Sequence, residues 1–445
     1  MSARTDRFRL ESGDGSRQSD SVAPQAALLQ NRAMVEHADI DLNVIATTLR
    51  VRADECVMCG LCLPHCPTFQ LSGLETRSPR GRIALAKSLQ PGATVDASLR
   101  EALESCLQCR ACEAACPAQV RYGEIIEGAR AILVSAARSR DESAATPGPG
   151  EPATLPSGVS TGARLAGLAT RHPMAAAHAL GLLGAIARAL PQWTHRLGRR
   201  TRWLLRARAP LAAPATADAA LLFTGCVARS FEADAQRALL AIAAVCALPL
   251  APAAAGCCGA FARHLGDIDT ARSRARANRN ALGAARLVVA LDSGCIGALR
   301  ESGVAVVEAC RWLLAHQEAW RTRLRRVEAR IGVFVPCTHR NVLRDPGAAS
   351  ELLTLLPGVE CVPITAGHGC CGAAGPQLFA HPRQADALAA TLVDAIVAAR
   401  LDALATTNVG CSLHLFERLR LRGINLTVAH PVACLAQRLL PRPPA

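Results

Sequence analysis

Lysine is almost missing. Lys87 is the only one, so the formal net charge of +14 is carried almost entirely by arginine. Aromatic residues make up 3% of the chain, so its core must be built from Leu, Ala and Val. That scarcity also removes the stacking platforms on which single-stranded nucleic acid is held. No helix-turn-helix or zinc-finger pattern is present, and nucleic acid is a poor reading of the basic charge. An acidic partner subunit or an anionic membrane surface suits it better, although arginine and alanine richness also follows from genome composition. There is no G-x-G-x-x-G run, no P-loop and no flavin signature, so hydride chemistry is not assigned to this chain. The N-terminus is charged and polar, without the apolar stretch of a signal peptide. Residues 238–255 lack charge but are broken by Pro249 and Pro252, and residues 174–187 are too short to span and carry His178. No transmembrane segment is expected. A length of 445 residues suggests roughly three domains.

Against that background stand 20 cysteines. Eight form two matched runs, CVMCGLCLPHCP at 56–67 and CLQCRACEAACP at 106–117. Each spaces its thiols C-x2-C-x2-C-x3-C and follows the last with proline. This is the spacing of bacterial two-cluster ferredoxins, in which the fourth cysteine ligates the opposite cluster. Thiolates are soft donors that suit iron–sulfur clusters. The pattern gives one [4Fe-4S] cluster to Cys56, Cys59, Cys62 and Cys116, and a second to Cys106, Cys109, Cys112 and Cys66. Pro67 and Pro117 fix the chain direction after each crossing ligand, and Gly60 leaves room for backbone N–H groups near the sulfurs. One C-x-x-C pair alone would leave zinc or a redox dithiol open; two matched runs leave zinc or disulfides little room. The thiols sit in motifs, not in the framework of a small secreted domain. Cluster assembly argues for a reducing interior, and the expected location is the cytoplasm.

Residues 1–25 are polar, charged and aperiodic, and are expected to be disordered. Residues 26–139 are read as the two-cluster domain. In it a helix starts near Ala26, another leads into the first run, and a third over 121–139 closes the domain. Between the runs lies SPRGRIALAKSLQ. There Ser78 is placed to N-cap, Pro79 suits the first turn, and Ile83, Leu85 and Leu89 face inward. Arg80 and Arg82 either offset the negative charge of thiolate-bound iron or sit in a solvated first turn. Residues 140–162 are a Pro/Gly/Ser linker. Residues 163–219 form a basic helical segment, with nine arginines and no acid over 164–208. It reads as two or three amphipathic helices that either dock on headgroups or an acidic subunit, or serve as a packed spacer.

From residue 220 the chain repeats itself, over 220–330 and 331–445. The first unit places Cys226 after LLFTG, Cys257 and Cys258 before Gly259, and Cys295 after LVVALDSG. The second places Cys337 after VFVP, Cys370 and Cys371 before Gly372, and Cys411 after ALATTNVG. The first cysteine and the double cysteine are 31 residues apart in one unit and 33 in the other. Short β runs alternating with helices predict parallel sheets of βαβ units. Each cysteine falls at or after the end of a β run, the edge where ligands gather in open α/β sheets. Adjacent cysteines fit one tetrahedral zinc poorly but can bridge neighbouring irons of an open cluster. A lone Cys-Cys-Gly would read as buried small residues; the trio appearing twice points to a metal or redox centre. The expected fold is therefore α+β and helix-rich: a small, largely α two-cluster domain followed by two α/β Cys-Cys-Gly (CCG) units.

Twin ferredoxin runs, the SPRGRI segment and two CCG units in this order resemble the iron–sulfur subunit of bacterial glycolate oxidase (glycolate dehydrogenase), from about residue 50 onward. The chain is similar, less closely, to the iron–sulfur subunit of anaerobic glycerol-3-phosphate dehydrogenase, to lactate-utilisation proteins and to heterodisulfide reductase. The resemblance implies an electron-transfer subunit that partners FAD-containing subunits oxidising glycolate to glyoxylate. It would pass electrons toward a membrane quinone, peripherally on the cytoplasmic face of the inner membrane. One departure matters. In the heterodisulfide-reductase form each unit closes with C-x-x-C, whereas here Ala298 follows Cys295 and His414 follows Cys411 at that spacing. His414 is thus a candidate ligand or a helix-surface histidine; His368, His339 and His264 are weaker candidates. The CCG units hold one further iron–sulfur centre, two, or another metal such as zinc. Cys246, Cys310, Cys361 and Cys434 sit in apolar surroundings and read as small buried hydrophobes.

The reading that follows is a relay with no catalytic residue of its own. Two rivals stand beside it. One is an enzyme whose CCG centre cleaves a disulfide; the other is a scaffold holding structural zinc.

Overall fold

Capping residues set the helices that carry the cysteine runs. Asp41 starts the helix Leu42–Asp54 by accepting the Asn43 N–H at 2.8 Å. Ser78 Oγ accepts the Gly81 N–H at 3.0 Å and starts Pro79–Lys87, with Pro79 in the first turn. Asp96 caps Ala97–Glu104 in the same way. These helices and the 20-residue Tyr122–Asp141 enclose a core of Leu49, Ile83, Leu103, Ile125, Ile126 and Leu133. Leu89 is buried with them and Leu85 packs at the edge, as the pattern predicts. Cys56, Cys62 and Cys116 lie against the rim of this core, while Cys106 and Cys112 are inside it.

The structure, a computed structural model, describes residues 41–92, 95–141, 167, 172–189, 199–211, 219–285, 287–365 and 367–440. The disorder expected over 1–25, the helix expected near Ala26 and the linker from 142 onward lie outside the described residues.

The repeat folds as two four-stranded parallel sheets. The first contains β1 (Ala220–Phe223), β2 (Leu250–Pro252), β3 (Val288–Ala290) and β4 (Val306–Glu308) in the order β2-β1-β3-β4. The second contains β5 (Ala329–Val333), β6 (Val359–Pro363), β7 (Ala403–Ala405) and β8 (Thr427–Ala429) in the order β6-β5-β7-β8. Val288, Val289 and Ala290 are buried throughout, as strands covered by helices on both faces must be. Pro252 and Pro363 end the edge strands β2 and β6, the places where a missing ladder N–H is tolerated. In this order the chain leaves β1 toward one edge and returns to β3 on its other side. That switch point opens a crevice at the carboxyl ends of the two strands, and β5 and β7 form its counterpart.

The two units share one core, in which Leu222, Val289, Trp312 and Trp320 pack with Ile331, Val333, Leu352 and Val432. Glu308, ending β4, and His430, following β8, hold equivalent places at the seam. Glu308 accepts the Cys310 and Arg311 N–H groups at 2.7 and 3.1 Å. His430 Nδ1 accepts the Val432 N–H at 3.2 Å, and its Nε2 donates to Leu291 O at 3.1 Å. His430 thus has no free lone pair for a metal, although Glu308, Cys310 and His430 lie close together. Cys310 and Cys434 are buried in this core, as expected, while Cys246 and Cys361 are half-buried beside it.

The described part of the basic segment differs from expectation. The helix Pro173–Ala189 carries Arg188 as its only charge. The arginines cluster in the 3-10 stretch Arg199–Arg206, where Arg206 donates to Ser412 Oγ at 2.7 Å and so ties the segment to the second unit. Among the described residues no helix is long and apolar enough to cross a membrane.

Candidate metal centres

Cys66 leaves the first run and joins the second. It lines one small cavity with Cys106, Cys109 and Cys112, beneath Arg82 and Tyr122. Burial raises the Cys112 thiol well above its usual range, and the neighbouring Cys109, Cys106 and Cys66 raise it further. Four crowded sulfurs of this kind are stable as thiolates only beside cations. Two arginines supply part of that charge. Arg82 is buried; it donates to Ala102 O at 2.7 Å, Thr68 Oγ1 at 2.9 Å and Ser105 Oγ at 3.0 Å. Arg130 is buried too and holds the turn before Cys106, donating to Glu104 O at 2.7 Å and Cys106 O at 2.5 Å. Burial alone would raise the Cys106 thiol, but Arg82, Arg130 and the Tyr122 hydroxyl at 3.5 Å bring it below its usual value. Arg82 therefore follows the charge-offsetting reading. Arg80 lies nearer the surface beside the first run, paired with Glu75 at 2.7 Å and donating to Met58 O at 3.2 Å, with Cys62 and Cys59 close enough to favour its charge.

The first run is more open. Cys56, Cys62 and Cys116 are half-buried, and Cys59 is exposed, alone among the twenty cysteines. Gly60 turns the loop at φ +82°, and a Cβ there would lie 2.7 Å from Arg80 and 3.0 Å from Leu63.

The CCG cysteines gather as their strand ends require. Cys226 and Cys337 follow β1 and β5; Cys295 and Cys411 open the helices after β3 and β7. The double cysteines follow β2 and β6. All eight thiols line a single cavity of about 490 Å³. Cys226 and Cys257 Sγ are 3.4 Å apart, and Cys371 and Cys411 Sγ are 2.8 Å apart. Burial and the neighbouring Cys371 push Cys337 up to about 11. Asp292 and Asn408, equivalent caps of the two helices, join across the seam at 3.1 Å. The glycine of each trio bends the chain back, so that Gly259 N–H meets Cys257 Sγ at 3.5 Å and Gly372 N–H meets Cys370 Sγ at 3.3 Å. Gly372 has φ +76°, and a Cβ there would run into the Ala385 backbone. Gly372→Ala is expected to cost about 1–3 kcal/mol of stability, read as a lowered denaturation midpoint.

The second run abuts the second CCG unit. Asn341 Nδ2 donates to Cys109 O at 2.7 Å, and Leu107 and Cys109 pack with Cys370, Leu388 and Ala374. Burial raises the Cys109 thiol well above its usual range, with Cys337 the next cause. Gln384 donates to Ser105 O at 3.0 Å, and Arg130 reaches His264 O in the first unit at 2.7 Å.

His414 is neither a cavity ligand nor a surface residue. It is fully buried behind the double cysteine, with Nδ1 donating to Cys371 O at 2.7 Å and Nε2 3.3 Å from Asp386 Oδ1. With both nitrogens engaged it positions the Cys371 backbone. His339 is buried, with Nδ1 on Asp345 O at 2.7 Å, and His368 meets Gln70 at the surface. His264 borders the cavity, and burial, reinforced by Arg130, Arg110 and Arg263, lowers it to about 3.

Residues 52–120 match the family described as 4Fe-4S dicluster domain, and residues 220–300 and 331–416 match the Cysteine-rich domain. The glycolate oxidase iron–sulfur subunit of Escherichia coli (strain K12) is 27% identical over 383 residues, covering 81% of this chain and 89% of that protein. The chain resembles glycolate oxidase iron–sulfur subunits over most of its length. The probable glycolate oxidase iron–sulfur subunit of Bacillus subtilis (strain 168) is 26% identical over 430 residues, or 86% and 94% of the two chains. A fumarate reductase (CoM/CoB) subunit of Methanothermobacter marburgensis is 26% identical over 212 residues, 45% of this chain and 42% of that one.

Sequence reasoning missed Arg130, Tyr122 and Asn341. Arg130 was detectable, because it interrupts the buried stripe Ile125, Ile126, Ala129, Ile132, Leu133, where a cation needs a nearby anion. Asn341 carries no such mark.

Proposed function

We propose that this chain is the iron–sulfur electron-transfer subunit of a flavin-dependent 2-hydroxy-acid dehydrogenase, with glycolate the substrate of the complex. FAD-containing partner subunits supply the electrons and a membrane quinone accepts them. The observation that carries this reading is the contact between the Cys109 loop and the Cys337–Cys370 wall of the CCG cavity, which makes the two sets of thiols contiguous. Cys56, Cys59, Cys62 and Cys116 would hold one [4Fe-4S] cluster and Cys106, Cys109, Cys112 and Cys66 the other. The eight CCG thiols would hold a further iron–sulfur or metal centre. When bound, such clusters supply one-electron redox chemistry. The chain's own residues set the conditions. Arg82 and Arg130 offset negative charge, Tyr122 and backbone N–H groups point at sulfur, and the apolar core around Leu103 and Ile125 excludes water.

Cys59 is the proposed side of electron entry, ringed by exposed Val57, Met58 and Leu61. Anaerobically purified protein should be brown, bleach with dithionite and hold about eight irons or more. Zinc without iron would overturn the reading. Val57→Asp with Leu61→Asp should lose the co-purifying flavoprotein at unchanged iron content; retention of the flavoprotein would move the entry side elsewhere.

A further inference from the structure

The helix Pro173–Ala189 wears its side chains inside out. Its buried stripe is Ala177, Gly181, Gly184 and Ala187, and these small residues seat it closely on the backbone of 207–209. All of its large apolar residues but Leu180 face out: Leu182 is 66% exposed, Met174 43%, and Leu183 and Ile186 37% each. A water-facing helix shows the opposite distribution, and one that is apolar all round needs a cover. Ala176 and Leu180 of the same helix line the CCG cavity together with Trp203. One helix, about 10 Å across, therefore stands between the eight thiols and an apolar face that nothing among the described residues covers.

The charges beside it are positive. Arg188 is exposed on the last turn. Next to it Arg208 and Arg237 share the single carboxylate of Asp234, each at 3.1 Å. Among the described residues, three guanidinium groups stand against one carboxylate along this edge, a cationic surplus. Protein hot spots favour Trp, Tyr and Arg anchors, whereas this face is mainly aliphatic, and its exposed His178 turns Nδ1 back onto Met174 O at 2.8 Å. Fluid hydrocarbon requires no more than such a face, and anionic headgroups match the edge. We propose that the helix Pro173–Ala189 lies in the interface of an anionic phospholipid bilayer, with Leu182, Leu183 and Ile186 in the acyl boundary and the Arg188–Arg208–Arg237 edge among the headgroups. The CCG cavity then lies directly behind the lipid-facing wall. This deepens the proposed delivery of electrons to a membrane quinone and rests on it for its purpose, but the lipid contact is testable without electron transfer.

The test is flotation of the purified complex with phosphatidylcholine vesicles, with and without phosphatidylglycerol. The protein should float with the anionic vesicles and stay down with neutral ones. Leu182→Glu with Ile186→Glu should cut the floating fraction by roughly tenfold or more, and the milder Leu182→Gln should give an intermediate loss. Iron content and reduction of a soluble dye should stay unchanged in all of them, so failure of the lipid contact is separable from failure of the electron-transfer reading. Wild-type protein that does not float, or variants that float like wild type, would overturn the proposal. So would variants that lose a co-purifying protein while still floating, since the cover would then be that protein.

Discussion

Cys66→Ala is expected to abolish the centre of the second run and to spare that of the first. The protein should lose about four irons, and its reduced electron paramagnetic resonance spectrum should match that of Cys112→Ala, not Cys62→Ala. The reason is placement. Cys66 borders the same cavity as Cys106, Cys109 and Cys112, and the helix Pro67–Ser72 carries the chain away behind it. Because metal binding of this kind is tied to folding, the melting temperature should fall by roughly 5–10 °C. A spectrum matching Cys62→Ala would show that each run keeps its own four cysteines.

The second large effect is expected at Arg82. Arg82→Met removes a buried cation facing Cys66 and Cys106 and strands three acceptors, on Ala102, Thr68 and Ser105. Breaking a buried charge arrangement by removing one partner costs about 3–5 kcal/mol. At an effective dielectric near 20 and a separation of about 8 Å, one lost charge is worth about 2 kcal/mol, or roughly 90 mV. The potential of the second-run centre should move in the negative direction by about that amount, read by redox titration. Arg82→Lys keeps the charge but not the three-way fork. It should recover most of the potential and less of the stability. An unshifted potential in Arg82→Met would mean that Arg82 is only a strut.

Much of this architecture is legible in the residues, for reasons that differ by element. The cysteine runs announce themselves because ligand spacing is local. The parallel sheets follow from β runs alternating with helices, and their edge strands are marked by Pro252 and Pro363. Ser78 and Pro79 show the start of their helix directly. What stays hidden is long-range. Nothing near Asn341 signals that it will meet Cys109, more than two hundred positions away. His414 sits where a ligand is expected, yet Asp386, on the preceding helix, and the Cys371 carbonyl claim both its nitrogens. The helix Pro173–Ala189 misleads for another reason: arginines on either side of it in sequence suggest a polar face that its own residues lack.

The Cys109 loop breaks the equivalence of the duplicated halves. Both halves have the same strand order, matching caps and the same Cys-Cys-Gly bend, but Cys109 sits against Cys337 and Cys370 of one half only. Twin substitutions at matched positions, such as Cys257 and Cys370, should therefore have unequal phenotypes. The cysteines beside the loop are bound to their post by a neighbour. The first unit meets the two-cluster domain through His264 and Glu301 instead, so its cysteine loops are freer to drift in sequence, and related chains should diverge faster there.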